Sequence, residues 1–295
     1  MLPFVRMTTA MSGPVVTYGG RRPHALTLVR TGLTEIWSRR RLGRYLISAE
    51  LQKKGSDTLL GNVWWIMDPL LQMGVYVLFV SLLVGAGRTN ADYPLFVFAA
   101  ILPWKWFSSA VNDAILSVVA RERIIKQVTF PKIILPVTAT MSGIVNFAFG
   151  LVPLLLLILL FYRDRLAWTL LLIPLVAVVQ LAFTLGIAIL LAAINVFYRD
   201  VGNVARHVLR LWFYLSPALY SADQVHRFAE DQPWIATAFG LNPFSVLFEA
   251  YRAVIYAGTE PAWGALSLLL AASLVILVIC IYAFERVEPA FAKVL

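Results

Sequence analysis

The chain has 295 residues, 60% of them from the set AVILMFWYC and only 14% charged, with a mean hydropathy of +0.78. A soluble domain carries about a quarter charged residues, so the two soluble domains that length alone would allow are excluded, as are disorder and, with Cys280 the single cysteine, a disulfide scaffold. The formal charge of +9 comes from basic residues that flank apolar spans instead of coating a soluble face, which predicts a polytopic all-α integral membrane protein with no nucleic-acid partner.

Residues 1–31 read as a flexible cytoplasmic tail, punctuated by Gly13, Pro14, Gly19, Gly20 and Pro23. No apolar h-region of a signal peptide is found in the first sixty residues. From 32 to 62 the pattern changes. Leu33, Ile36, Trp37, Leu42, Tyr45, Leu46 and Ala49 fall at helical spacing with Arg39, Arg40, Arg41 and Arg44 among them, which predicts a basic amphipathic helix along the membrane surface. The rest, 63–295, reads as one transmembrane domain. A helix needs about 20 apolar residues to cross the hydrocarbon, and six segments are read as spans: 64–84, 95–119, 133–161, 166–197, 204–220 and 263–284. The fifth is the shortest and carries Arg206 and Arg210 near its start. A further apolar stretch, 234–257, is broken by Gly240, Asn242 and Pro243 and contains Glu249 and Arg252, so it predicts a re-entrant external hairpin. Glu249 and Arg252, three apart, are expected to neutralise one another.

The cations orient the chain. The segment before the first span holds Arg6, Arg21, Arg22, Arg30, Arg39, Arg40, Arg41, Arg44, Lys53 and Lys54. Alternate loops add Arg121, Arg123, Lys126 and Lys132, then Arg199, Arg206 and Arg210, and the tail adds Arg286 and Lys293. Only Arg88, Lys105, Arg163, Arg165, Arg227 and Arg252 fall on the other side or within the membrane. The positive-inside rule then puts both termini in the cytoplasm.

There is no G-x-x-x-x-G-K-[ST] phosphate loop, no G-x-S-x-G elbow, and no metal-ligand cluster around His24, His207 or His226. Neither a catalytic centre nor a cofactor is expected in this chain. The second span instead carries Lys105, Ser108, Ser109, Asn112 and Asp113, with Lys105, Ser109 and Asn112 on one face and Asp113 at its edge. A charge at mid-bilayer costs at least ~2.5 kcal/mol. Such a stripe either lines a polar channel, or Lys105 snorkels outward and Asp113 meets a partner within the bundle. The Trp residues gather near span ends as an interfacial belt would. Trp104, Trp106, Phe107, Trp212, Phe213 and Tyr214 could also offer flat faces to sliding sugars.

Four blocks carry a family resemblance. They are Leu60-Gly61-x-x-Trp64-x-x-x-x-Pro69, Arg123-Ile-Ile-Lys126-x-Val128-x-Phe130-Pro131-Lys-Ile-Ile-Leu135-Pro136, Asn195-Val-Phe-Tyr-Arg199-Asp200-Val201, and Leu241-Asn242-Pro243-Phe-x-x-x-x-Glu249-Ala-Tyr251-Arg252. In that order, across about residues 33–295, the chain resembles the ABC-2 type permeases of the polysaccharide-export branch, which carry O-antigen, capsule or teichoic acid polymers. Its Ala/Val/Leu/Arg-rich usage leans towards a galactan-lipid exporter of a mycolate-type cell wall. The resemblance implies a homodimer with two copies of a separate ATPase subunit, which holds ATP and Mg, and a lipid-pyrophosphate-linked polysaccharide as substrate.

It also implies roles for particular residues. Segment 121–132, through Arg121, Glu122, Arg123, Lys126 and Lys132, would couple to the ATPase. Helix 33–54 would lie among membrane lipids, with Arg39–Arg44 facing the head group. Arg199 and Asp200 would lie at the cytoplasmic gate, and Asn242, Glu249 and Arg252 in the external hairpin. Lys105 departs from the small or neutral residue expected beside that Trp. Two other classes compete: an ABC-2 permease for small solutes or drugs, and a gradient-driven secondary transporter relying on Asp113.

Overall fold

The computed structural model describes residues 25–55, 61–83, 92–221, 224–225 and 232–295. Residues 1–24 of the expected 1–31 tail, Leu60 of the first block, the end of the first expected span at Val84, and the loop cations Arg88 and Arg227 lie outside the described residues, whereas 25–31, expected as flexible tail, are helical. Every regular element described is helical. In chain order these are α1 (Ala25–Ser38), α2 (Arg40–Gly55), α3 (Trp64–Leu83), α4 (Tyr93–Ser117), α5 (Glu122–Gln127), α6 (Ile134–Phe161), α7 (Ile173–Phe197), α8 (Val201–Leu215), α9 (Pro233–Leu241), α10 (Pro243–Arg252) and α11 (Trp263–Val294).

Among the described residues, four helical stretches are long and apolar enough to cross a membrane: Tyr93–Ser117, Ile134–Phe161, Trp168–Phe197 and Trp263–Val294. They match the second, third, fourth and sixth expected spans. Helix α3, at 20 residues, has the length of a span. The fifth expectation differs. Helix α8 has 15 residues, about 22 Å at 1.5 Å each, and stops where Ser216 turns extended (ψ 151°) ahead of Pro217. A residue before proline is pushed out of the helical region, and that local signal ends the apolar run read as 204–220.

Helix α4 is the innermost element. Leu95, Phe98, Ile101, Phe107, Val111 and Ile115 are fully buried, and its neighbours are α6, α7 and α3. Helices α4 and α6 approach closely because small residues stand at the contact, as in membrane helix pairs generally. A Cβ on Gly143 would lie 2.9 Å from Cδ1 of Trp106, and one on Gly150 would overlap Leu102. Helices α6 and α11 turn Leu155, Leu159, Leu160, Val275 and Ile279 outward, as lipid-facing helices do.

A second core lies at the opposite end of the bundle, where α5, the start of α6 and the end of α11 meet through Ile125, Ile133, Ile134, Ile281, Phe284 and Phe291. Helices α1 and α2 pack against this end, α1 on α11 and α2 on α6. Arg39, Arg40, Arg41 and Arg44 all remain exposed there beside the exposed rings of Trp37 and Tyr45, with the Arg40 guanidinium 5.5 Å from the Trp37 ring. An amphipathic helix pair of this kind can rest on a membrane surface.

Candidate functional site

Three helices build a cavity of about 300 Å³. Trp64, Asp68 and Pro69 come from α3, Leu102, Lys105, Trp106, Ser109 and Asp113 from α4, and Gly143, Asn146 and Phe147 from α6. Lys105 is ion-paired with Asp68 and also donates to Gln72 Oε1 at 3.4 Å, so its ammonium is drawn towards α3. Two polar atoms at the walls are buried without a hydrogen-bond partner, the indole Nε1 of Trp106 and Oδ1 of Asn146. Trp106 is only 3% exposed and stacks on Phe147 at 4.8 Å. Buried polar atoms are rarely left unpaired. Gly143 leaves the space beside that indole: a Cβ there would stand 3.1 Å from Nε1.

The expected stripe is therefore largely assembled. Lys105, Ser109, Asp113 and Trp106 meet in the cavity, whereas Asn112 turns back on its own helix and donates to Ser108 O at 2.7 Å. Asp68, Trp64 and Asn146 were missed in the sequence. Trp64 and Pro69 stood in the first family block, but nothing local linked them to Lys105.

The other expected aromatic residues sit elsewhere. Trp104, Phe107 and Phe213 are buried in a cluster centred on Phe244, whose ring lies 4.7 Å from both Trp104 and Phe107 and 5.5 Å from Trp212. This is core packing within one chain. Trp212 is part-buried and also borders an apolar cleft of about 400 Å³ between α7 and α8, with Tyr198 and Asp200 at its edge. Tyr214 is exposed.

In the expected external hairpin, α9 and α10 are separated by Asn242, which joins three pieces of chain. Its Oδ1 accepts from Trp212 Nε1 at 3.0 Å and from Phe244 N at 3.1 Å, capping α10, while its Nδ2 donates to Ser216 Oγ at 2.9 Å. The charge of Glu249 acts on Arg252 as expected, but the guanidinium makes further contacts. It is buried, donates to the carbonyls of Ala218 at 2.7 Å and of Tyr220 and Phe96 at 3.4 Å, and lies 3.6 Å from the Phe96 ring. Glu249 is exposed. Ser216-Pro217 leaves the carbonyls after α8 without helical partners, and the guanidinium fork satisfies them.

At the basic end, the coupling residues divide into two groups. Arg121 pairs with Glu50 of α2 at 3.1 Å, and Lys132 donates through its backbone N and its Nζ to Glu288 of α11 at 3.0 and 3.2 Å. These two tie the bundle together. Glu122 pairs with Lys126 at 2.6 Å and lies 3.8 Å from Arg199, linking α5 to the turn before α8. The Lys126 hydrogen bond first, then the charges of Lys126, Arg199 and Arg123, hold the Glu122 carboxyl below its ordinary range. Arg123, Ile124 and Val128 are left facing outward. Asp200 is exposed and takes the N-cap position of α8.

Nearby, Glu35, Glu285 and Glu288 each bring an oxygen within 4.8 Å of the others. Such a group could hold a cation, but Lys132 already brings positive charge to Glu288. Burial first and Glu288 second push the Glu35 carboxyl up, against Lys132 and Arg39.

Among the described residues every regular element is helical, and a short helix bearing Arg123 and Lys126 lies between the long helices α4 and α6. The ABC-2 type transporter family model matches residues 42–256, and the chain belongs to that family, in its polysaccharide-export permease branch. The O-antigen export system permease protein RfbA of Myxococcus xanthus is 32% identical, over 88% of this chain and 97% of the relative. A protein described in the same words from Klebsiella pneumoniae is 27% identical, over 85% of this chain and 93% of the relative.

Proposed function

We propose that this chain is the membrane half of an exporter that moves a lipid-pyrophosphate-linked polysaccharide from the cytoplasm to the outer face of a bacterial inner membrane. Two copies would form the conduit, and two copies of a separate ATPase subunit, carrying ATP and Mg, would drive it. The observation that carries the reading is the polar, aromatic-walled cavity on the second span, in a chain whose relatives across most of its length are O-antigen export permeases. A polar face within the membrane needs a hydrophilic ligand or water to justify its cost.

The rest of the molecule fits the same reading. ATP-driven closure of the partner would push on α5 through Arg123, Ile124 and Val128, and the Glu122–Arg199 contact would pass that movement to α8 and the gate at Asp200. Arg39, Arg40, Arg41 and Arg44 would hold the anionic pyrophosphate by charge. The hairpin of α9 and α10, with Asn242, Glu249 and Arg252, would sit at the exit, with both termini in the cytoplasm. A permease for small solutes or drugs is the second reading, favoured by the apolar cleft beside α8.

Gentle solubilisation of the tagged chain tests the proposal. The expected result is a stoichiometric companion that hydrolyses ATP, retained with wild type and lost with Arg123→Glu combined with Ile124→Asp. A chain that purifies alone from several mild detergents overturns the ATP-driven reading. ATPase stimulation by hydrophobic drugs, with surface polysaccharide unchanged when the chain is depleted, favours the second.

A further inference from the structure

Beneath the exposed Glu122–Arg199 contact, three helices meet at one buried point. Ile115 of α4 is fully buried, and Asn195, near the end of α7, is 2% exposed. Asn195 Nδ2 donates to Ile115 O at 3.0 Å. Gly202, in the first turn of α8, lies against both residues. A Cβ there would stand 3.6 Å from Ile115 Cγ2, 3.8 Å from Leu116 Cδ2 and 4.0 Å from Asn195 Oδ1. We propose that Asn195 is a positioning residue, the joint through which movement of α5 reaches the start of α8 and the gate at Asp200; this rests on the ATP-driven reading above. Asn195 opens the third family block, where the spacing assigned it no role.

The connections on either side of the joint are short. From Ile115 the chain stays helical through the tight turn Val119–Arg121 and enters α5 about two turns further on. On the other side, Asn195 and Gly202 bracket the turn 198–200, where Val201 N donates to Tyr198 O and Val204 N to Asp200 O. The end of α4 cannot part from the end of α7 without breaking a buried hydrogen bond, and a buried amide left unpaired costs its full desolvation. Glycine at 202 sets the α8 backbone directly on the pair, so the first turn of α8 follows them. The Glu122–Arg199 contact holds less, because the Arg199 side chain is 65% exposed and its charge is screened.

The same two helices supply a matched control. Gln180, about 22 Å along α7 from Asn195, is also buried, and its Nε2 donates to Pro103 O of α4 at 2.8 Å. Each of these amides leaves its acceptor oxygen without a partner. The chemistry is the same, but Gln180 stands away from α5 and the start of α8. Packing is lost on replacing either residue, whereas coupling is lost on replacing only one.

The test compares surface glycan in cells complemented with each variant against ATP hydrolysis by the complex purified from them, at equal amounts of folded chain. Asn195→Leu keeps much of the volume and removes the amide. It is expected to retain the companion subunit and its hydrolysis, while glycan per ATP hydrolysed falls about tenfold. Gly202→Leu wedges the same point from α8 and should act alike, which covers an Asn195→Leu chain that folds poorly. Gln180→Leu should leave the ratio unchanged, whatever it does to the amount of folded chain. Equal ratios for Asn195→Leu and Gln180→Leu overturn the joint. A ratio lowered by Arg199→Gln but not by Asn195→Leu also overturns it and puts the link on the exposed pair. Substitutions at 195 and 202 that only reduce the amount of folded chain make the junction a packing site, and the joint falls. Each of these results leaves the ATP-driven reading standing, whereas a wild-type chain that purifies with no ATP-hydrolysing companion removes both.

Discussion

The two faces of α4 use similar residues for opposite purposes. On one face Trp104 and Phe107 are sealed into a cluster with Phe213, Phe244 and Phe248, ring against ring at 4.7 to 6.4 Å. On the other, Trp106 borders a cavity with its Nε1 unpartnered, beside Lys105, Ser109 and Asp113. Trp104, Lys105 and Trp106 are consecutive in sequence. The 100° step between them sends one ring into the core, the ammonium towards α3 and the other ring against α6. Aromatic content therefore does not mark a sugar path. What separates the two faces is whether polar groups stand with the rings and whether space remains among them.

Substitutions should separate the faces in the same way, the largest effect falling on the core. Phe244→Ala removes the ring that touches Trp104, Phe107, Trp212 and Phe248, and a buried Phe→Ala change costs about 3–5 kcal/mol. Unfolding in detergent should shift accordingly, whereas Ser109→Ala in the cavity should stay within about 0.5 kcal/mol of wild type. Equal losses at the two sites would abolish the distinction. Gly143→Leu comes next. It drives a side chain into Trp106 and the cavity together, with an overpacking cost of about 1–3 kcal/mol. A protein that still folds should show surface glycan strongly reduced in complemented cells. Normal export with the cavity filled would mean that the cavity serves no transport step.

Asn242→Ala is a milder test, on the element that anchors the aromatic side. It removes the α10 cap and the acceptor for Trp212 Nε1, about 1–2 kcal/mol in all. Amide exchange across 233–252 should accelerate while that of α4 stays unchanged. Uniform acceleration through both helices would show that the hairpin and the core unfold as one unit.

How far the sequence could be read follows from which contacts are local. The four long spans, the basic amphipathic stretch and the stripe on α4 all depend on one helix and its period, and they were legible. Asp68 and Asn146 were not, because their relation to Lys105 exists only once α3 and α6 pack on α4. The Glu249–Arg252 spacing gave the charge interaction along one helical turn, whereas the carbonyls of Ala218 and Tyr220 that take the guanidinium's hydrogen bonds were not visible in it. The Ser216-Pro217 step shortened the fifth span. Arg121 and Lys132, grouped by the family motif with Arg123, turned out to bind Glu50 and Glu288 within the chain. That separation depends on which acidic residues α2 and α11 bring near. Ile124 and Val128, left outward beside Arg123, stood in the second family block without a role of their own.

The smallest expected effect concerns pH, where α1 meets α11. Glu35 faces Glu288 and Lys132 from the neighbouring elements, with Glu285 beside them and Arg39 on its own side. Its folded-state pKa is raised, chiefly by burial, so the folded protein holds a proton that the unfolded chain gives up sooner. The associated stability is then fully present below the ordinary carboxylate range and is lost as pH rises through the raised value. Glu122 has the opposite sign: its carboxyl is held low, so the stability it contributes is present at neutral pH and is lost only on acidification. The protection of residues 25–38, measured against the intrinsic exchange rate at each pH, should fall as pH rises above the ordinary carboxylate range. Glu35→Gln should flatten that dependence, because a neutral amide fills the same place at every pH. A wild-type protection profile that is already flat, or one that Glu35→Gln leaves unchanged, would remove Glu35 as a contributor. Amphipathic α1 would then be held on the bundle by its apolar contacts alone.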